Sequence, residues 1–224
     1  MGALDDPVAA GGAGARVAPR WRGRLHQLAA VVALPAGAVL VGVSPPAARP
    51  AAIVYSTTMI AMFCVSAAYH RGAWTDSARR RMKQADHTAI FAFIAGSYTM
   101  FSTLMLPVPW RWLMMAVVWL GAGVGSGVKL RRLDRLGGLA DVWYLAVGWA
   151  GVSALPYLAR AAAPAEVGLL VAGGVLYSAG AAALGARRPD PAPAVFGYHE
   201  VGHALIVAGV VCHYILYLSR AVRA

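Results

Sequence analysis

The stretch Tyr198–Leu218, YHEVGHALIVAGVVCHYILYL, holds Glu200 as its sole Asp, Glu, Lys or Arg. A continuous apolar run of this length is too long for a strand and supplies the roughly 20 residues that a helix needs to cross a bilayer. A backbone in lipid must satisfy its own hydrogen bonds, which selects helix. Two of its few polar side chains, His199 and His203, stand one helical turn apart at its start.

Working outward, six more apolar runs follow the same rule: 27–44, 51–70, 85–106, 110–128, 139–158 and 166–184, before the run at 198–218. Each is bounded by Pro, Gly or charge, and none shows the short alternating pattern of a transmembrane barrel. The expected fold class is an all-α membrane protein, a seven-transmembrane-helix bundle over 26–219. A flexible basic tail (1–25) precedes it and a short outer tail (220–224) follows. Composition agrees: 59% of the 224 residues are hydrophobic and 13% charged, against about a quarter charged in soluble domains. Cys64 and Cys212 are too few for a disulfide framework or a Cys-based zinc knuckle. A cleaved signal peptide competes for the first run, but Leu28–Val43 is long for a signal core. Trp110, Trp112, Trp143, Trp149, Tyr198 and Tyr217 sit near run ends, where amphipathic rings favour the headgroup zone. Gly121, Gly125 and Gly127, and Gly173, Gly174 and Gly180, form small-residue faces suited to close helix packing.

The net charge of +11 is distributed in a telling way. Segments preceding the first, third, fifth and seventh runs hold 15 of the 20 Lys and Arg. By the positive-inside rule these segments face the cytoplasm, so the N-terminus is inside and the C-terminus outside. The clusters Arg79-Arg80-Arg81-Met82-Lys83 and Lys129-Leu130-Arg131-Arg132 are then topology signals beside anionic lipid. No folded basic face is on offer for nucleic acid.

With that orientation, four ionisable side chains converge near the cytoplasmic end: His70, Asp86, His199 and His203. His199 and His203 share one helix face, about 6 Å apart along the axis, a good geometry for two imidazoles on one metal. His70 supplies a third ligand. Three protein ligands leave an open position for water, as in catalytic zinc sites. Asp86 is placed to take a proton from that water. Ser66, one turn deeper than His70, is placed to donate to a substrate carbonyl. Taken singly, Asp86 reads as a helix cap and a histidine as an interfacial anchor. Ionisable groups inside a membrane are costly and usually paired or functional, so their meeting at one depth favours the metal site. Three histidines suit other divalent ions besides zinc.

The remaining polar residues rank lower. Tyr69 and Ser97 are expected to line a cavity, Ser97 about 16 Å deeper than Asp86. His87 points roughly 100° away from Asp86 and supports the site at best. His26 reads as an interface residue, His213 as an outer-leaflet contact and Asp141 as a cap. His199-Glu200-Val201-Gly202-His203 matches the HExxH metalloprotease pattern, with Glu200 as general base. A dedicated Asp86 makes that base redundant, and Glu200 is expected to point sideways toward a basic loop residue.

At these positions the chain resembles the haemolysin III group, the prokaryotic arm of the progestin and adipoQ receptor family. The stretches that carry the resemblance are Ser66–His70, Asp86–Ile90 running into Ile94–Thr99, and Phe196–His203, within a likeness from about Trp21 to Ser219. Gly202 stands where the family often has a bulky residue. The resemblance implies seven helices, a cytoplasmic N-terminus in a bacterial plasma membrane, and zinc on His70, His199 and His203 beside Asp86 and Ser66. Through the alkaline ceramidases of the wider superfamily it implies hydrolysis of a lipid amide or ester. The haemolysin label implies a pore, yet no lytic segment or channel stripe stands out.

Two readings follow. One is a zinc hydrolase with a membrane lipid as substrate; the other is a non-enzymatic sensor, homeostasis or receptor-like protein with structural zinc. A lipid-sized cavity beside the histidines favours the first. The oligomeric state is left open by the sequence.

Overall fold

The computed structural model describes residues 19–132 and 139–223. Most of the expected N-terminal tail, the last residue and the side chain of Asp141 lie outside the described residues. Among those described, the fold is helical, with no strand and one isolated bridge between Ala192 and Phe196. The helices are α1 (Arg24–Val43), α2 (Arg49–Arg71), α3 (Asp76–Met105), α4 (Val108–Arg132), α5 (Leu139–Gly148), α6 (Leu155–Ala161), α7 (Pro164–Ala186) and α8 (Tyr198–Arg223). A 3₁₀ turn, Ala150–Ala154, joins α5 to α6. Among the described residues, seven helical stretches are long and apolar enough to cross a membrane, Val142–Ala161 counting as one. The chain is a seven-helix membrane bundle.

Exposed apolar side chains line its outside, among them Val31, Val32 and Leu34 on α1 and Leu113, Val117 and Leu120 on α4. Against lipid tails as apolar as leucine this exposure carries no penalty. Inside, Tyr55, Phe91, Met100, Phe101, Leu216 and Tyr217 from α2, α3 and α8 form the centre of the core. Tyr217 is therefore no headgroup anchor: its hydroxyl bonds Ser97 Oγ at 2.9 Å deep in the bundle. α8 packs along α7 and returns to touch α1 and α3. Glycines set the α7–α8 approach. Gly180 and Gly202 face each other so closely that a Cβ on either would stand 3.0 or 3.2 Å from the other's carbonyl oxygen. Two turns away, Gly173 gives room to His213 and Gly209 to Tyr177. Gly121 and Gly125 similarly admit Val147 and Phe91, whereas Gly127 faces open space.

Three local departures from the sequence reading shape the site. α3 begins at Asp76, well before the apolar run, because Thr75 Oγ1 accepts from the Ala78 N–H at 3.4 Å and caps the helix. The basic run Arg79–Lys83 is thus helical, and Asp86 lies in the helix interior. The fifth run is interrupted rather than one helix. Gly148 and Gly151 weaken it and Pro156 enters the first turn of α6 without a donor. Tyr98 Oη donates to Gly148 O and accepts from Gly151 N, both at 2.6 Å, so a phenol replaces the missing helical bonds. Non-helical backbone at membrane depth requires such a partner.

Both expected tails shorten. Arg20 N donates to Ala194 O and Trp21 N to Val195 O, each at 3.1 Å, so residues 19–23 are held against the α7–α8 connection. At the other end α8 continues through Arg220 to Arg223. Glu166, only 2% exposed, receives Arg220 at 3.1 Å and Arg223 at 3.0 Å. These cations compensate the buried carboxylate and tie the end of α8 to the first turn of α7.

Candidate metal centre

His70 stands in the last turn of α2, and His199 and His203 in the first turns of α8. One ring nitrogen from each lies within 4.8 Å of the other two. His70 Nε2 and His199 Nε2 are 3.3 Å apart. Two nitrogens on one tetrahedral zinc stand about 3.3 Å apart, so this pair already has the spacing of co-ligands. The rings of His199 and His203 are 4.3 Å apart between centroids. Asp86 approaches from α3, its Oδ2 4.0 Å from His70 Nε2. Its Oδ1 is buried without a hydrogen-bond partner among the described residues. Since Thr75 caps α3, the cap reading of Asp86 falls. Three imidazoles with an open buried carboxylate beside them are a donor set that fits a divalent cation.

Ser66, 3% exposed, reaches both Asp86 and α1. Its Oγ is 2.8 Å from His26 Nδ1. His26 is the residue that sequence reasoning missed. It is buried, not interfacial, and its ring stacks on His203 at 3.9 Å and 7° between planes. A signal was present: His26, Ala30, Ala33, Gly37 and Leu40 share the buried face of α1, a stripe of mostly small residues headed by a histidine. Following that stripe outward would have placed His26 inside the bundle.

Glu200 does point away from the histidines. Its Oε1 pairs with Arg22 Nε at 2.9 Å, and its Oε2 accepts from Gly197 N at 2.9 Å. Bound to the start of its own helix and to the N-terminal segment, it is not available as the base of an HExxH protease. Asp190 Oδ1 accepts from Tyr198 N at 2.9 Å and completes the capping of α8. His87 is buried near Tyr144 and lies outside the three-histidine cluster.

A cavity of about 260 Å³ opens from this cluster into the bundle. His70, Asp86, His199 and His203 line one part, together with Tyr69 and His87. Ile90, Phe93, Ile94 and Ile206 make its walls apolar, and Ser97, Tyr177, His213 and Tyr217 also border it. His213 is thus a cavity residue rather than an outer-leaflet contact; its Nε2 donates to Leu170 O at 3.1 Å. Trp149, Val152 and Val171 both line the cavity and are 39–44% exposed, marking where it nears the lipid-facing surface between α5–α6 and α7.

The profile of the family described as haemolysin-III related matches residues 15–214, which include every side chain named in this cluster. The chain belongs to that family. Among curated proteins it is 28% identical to "Hemolysin-3" of Bacillus cereus over 160 residues, 70% of this chain and 73% of that protein. It is 35% identical to "Hemolysin-3 homolog" of Bacillus subtilis (strain 168) over 95 residues, 42% of this chain and 45% of that one. No solved structure matches. The haemolysin-III related chain is accordingly a multi-pass membrane protein whose three clustered histidines have the spacing to hold a metal ion.

Proposed function

We propose that this protein is a zinc-dependent hydrolase of a lipid amide or ester in the bacterial plasma membrane, with its N-terminus and histidine cluster on the cytoplasmic side. The observation that carries the reading is the buried, open Oδ1 of Asp86 beside three converging imidazoles at the wall of an apolar cavity. His70, His199 and His203 would hold the ion, which supplies Lewis-acid polarisation and a nucleophile at neutral pH. Asp86 takes the proton of the attacking water and returns it to the departing nitrogen or oxygen as the acyl bond breaks. With the His26 proton on Nδ1, Ser66 accepts from His26, and its own O–H turns from Asp86 to the substrate carbonyl as negative charge develops there. The apolar walls hold the acyl chain and keep the reacting bond out of bulk water. Entry is lateral, past Trp149 and Val152, because a lipid leaves the bilayer only through a lipid-facing opening.

The test combines metal analysis of the purified protein with a turnover screen of long-chain amides and esters. Asp86→Asn is expected to retain zinc and lower the rate by a factor of roughly 10² to 10⁴, the usual contribution of general acid–base catalysis. Full activity in that variant would refute the proton role. Zinc without turnover of any lipid would favour a sensor instead.

A further inference from the structure

Away from the histidine cluster, the cavity wall carries a second group of polar side chains. Tyr177 of α7 and His213 of α8 meet edge to face, their rings 5.2 Å apart at 80°. His213 gives its Nε2 proton to Leu170 O at 3.1 Å, which leaves Nδ1 as a bare acceptor. That Nδ1 is buried and has no partner among the described residues. The Tyr177 hydroxyl, a donor, is equally buried and unpartnered. The two rings touch without bonding each other, and both residues border the cavity. Neither nearby tyrosine bonds them: Tyr217 Oη is engaged with Ser97 at 2.9 Å, and the buried Tyr55 hydroxyl makes no hydrogen bond among the described residues. Glycines on the facing helices, Gly173 and Gly209, make the room in which these two side chains sit. Leaving an acceptor and a donor unmet in an apolar wall is costly.

We propose that Tyr177 and His213 form a second recognition site, for a hydroxyl group carried on the hydrocarbon chain of the lipid ligand. This rests on the lipid reading above and adds to it the class of acyl chain. A hydroxyl is the complement of the pair, since it donates to His213 Nδ1 and accepts from Tyr177 at once. A plain methylene leaves both groups unmet. A carboxylate offers no proton to Nδ1, and no cation of the pair balances its charge. His213 lies ten residues beyond His203 on one helix, about 15 Å along its axis. The ligand therefore carries its reacting carbonyl at the histidine cluster and its hydroxyl near mid-chain.

The experiment is competition binding to the purified full-length protein in nanodiscs, with labelled octadecanoic acid as tracer. Unlabelled octadecanoic acid is compared with its mid-chain hydroxylated form, on the wild type, Tyr177→Phe and His213→Leu. The hydroxylated acid is expected to bind the wild type roughly tenfold more tightly, the worth of about one hydrogen bond in a dry site. Tyr177→Phe removes only an unpartnered oxygen, so the protein should fold and the preference should disappear. If His213→Leu does not fold, the Tyr177 variant and the wild-type comparison still decide. Equal binding of both acids to the wild type would mean that these groups meet water only, and would overturn the proposal while leaving the lipid reading intact. A preference that survives Tyr177→Phe would overturn it too. Failure of either acid to bind would sink the lipid reading and this site with it.

Discussion

Along one side of the cavity, α7 and α8 are continuous helices held together by facing glycines and, at one end, by Glu166 with Arg220 and Arg223. Beside it, another part of the lining is the α5–α6 crossing, broken by a 3₁₀ turn, whose open backbone groups depend on the single hydroxyl of Tyr98. It meets α7 through a slender link, Trp149 Nε1 donating to Ser178 Oγ at 2.9 Å. The side chains of the proposed mechanism all stand on continuous helices: His70 and Ser66 on α2, Asp86 on α3, His199 and His203 on α8. Metal geometry tolerates little movement, so its ligands belong on elements that open last. Access requires movement, so it belongs where few buried contacts resist it. Under the proposed mechanism, chemistry then belongs to the continuous helices α2, α3 and α8, and entry to the broken crossing.

The variant that strikes the rigid side hardest is His203→Ala. Loss of a direct ligand should exceed the roughly 100-fold fall in affinity that loss of an outer partner causes. Elemental analysis is expected to find little zinc in the purified variant, with hydrolysis lost alongside. Undiminished metal content would mean that the ion does not sit where α8 meets α2, and the contrast between the walls would lose its chemical half.

His26→Phe should have the next largest effect. Phenylalanine keeps a flat ring against His203 and Phe63 but drops the bond to Ser66. The expected outcome is a 10- to 100-fold lower rate or metal affinity, the usual scale for an outer partner. His26→Asn, which keeps a polar group on the same stem, should recover part of it. A purely packing role predicts a lower melting temperature with an unchanged rate per zinc-loaded molecule, and that result would remove His26 from the mechanism.

Much of this architecture was legible because the bilayer forces it. Seven long apolar runs could only be helices, and the side chains His70, Asp86, His199 and His203 stood out because apolar surroundings make ionisable groups conspicuous. What escaped notice was decided by contacts between distant segments. His26 looked interfacial because it follows Arg22 and Arg24, yet α1 leans on α8 and carries it onto His203. Tyr217 and His213 lie toward the end of the last run, where rings often anchor in headgroups, but they face inward to Ser97 and Tyr177. The break in the fifth crossing left a faint local trace in Gly148, Gly151 and Pro156. Its actual shape depends on Tyr98, some fifty residues away. The N-terminal segment was read as tail because nothing in its composition announces that Arg22 will pair with Glu200.

Tyr98→Phe probes the weaker wall; its effect on turnover should be the smallest and its structural effect the most local. The substitution keeps the ring against Phe101 and removes one oxygen, leaving Gly148 O without a donor and Gly151 N–H without an acceptor. Each group left unpaired costs roughly 1–3 kcal/mol, and in lipid no water replaces the lost partner. If the α5–α6 crossing opens independently, hydrogen exchange should quicken around 148–152 while α7 and α8 keep their protection. Substrate entry should then become easier, seen as a lower KM or faster association with kcat nearly unchanged. A uniform rise in exchange across the bundle would show instead that the broken crossing and the α7–α8 pair unfold together. In that case the two walls form one cooperative unit, and entry through the α5–α6 side would have to be abandoned.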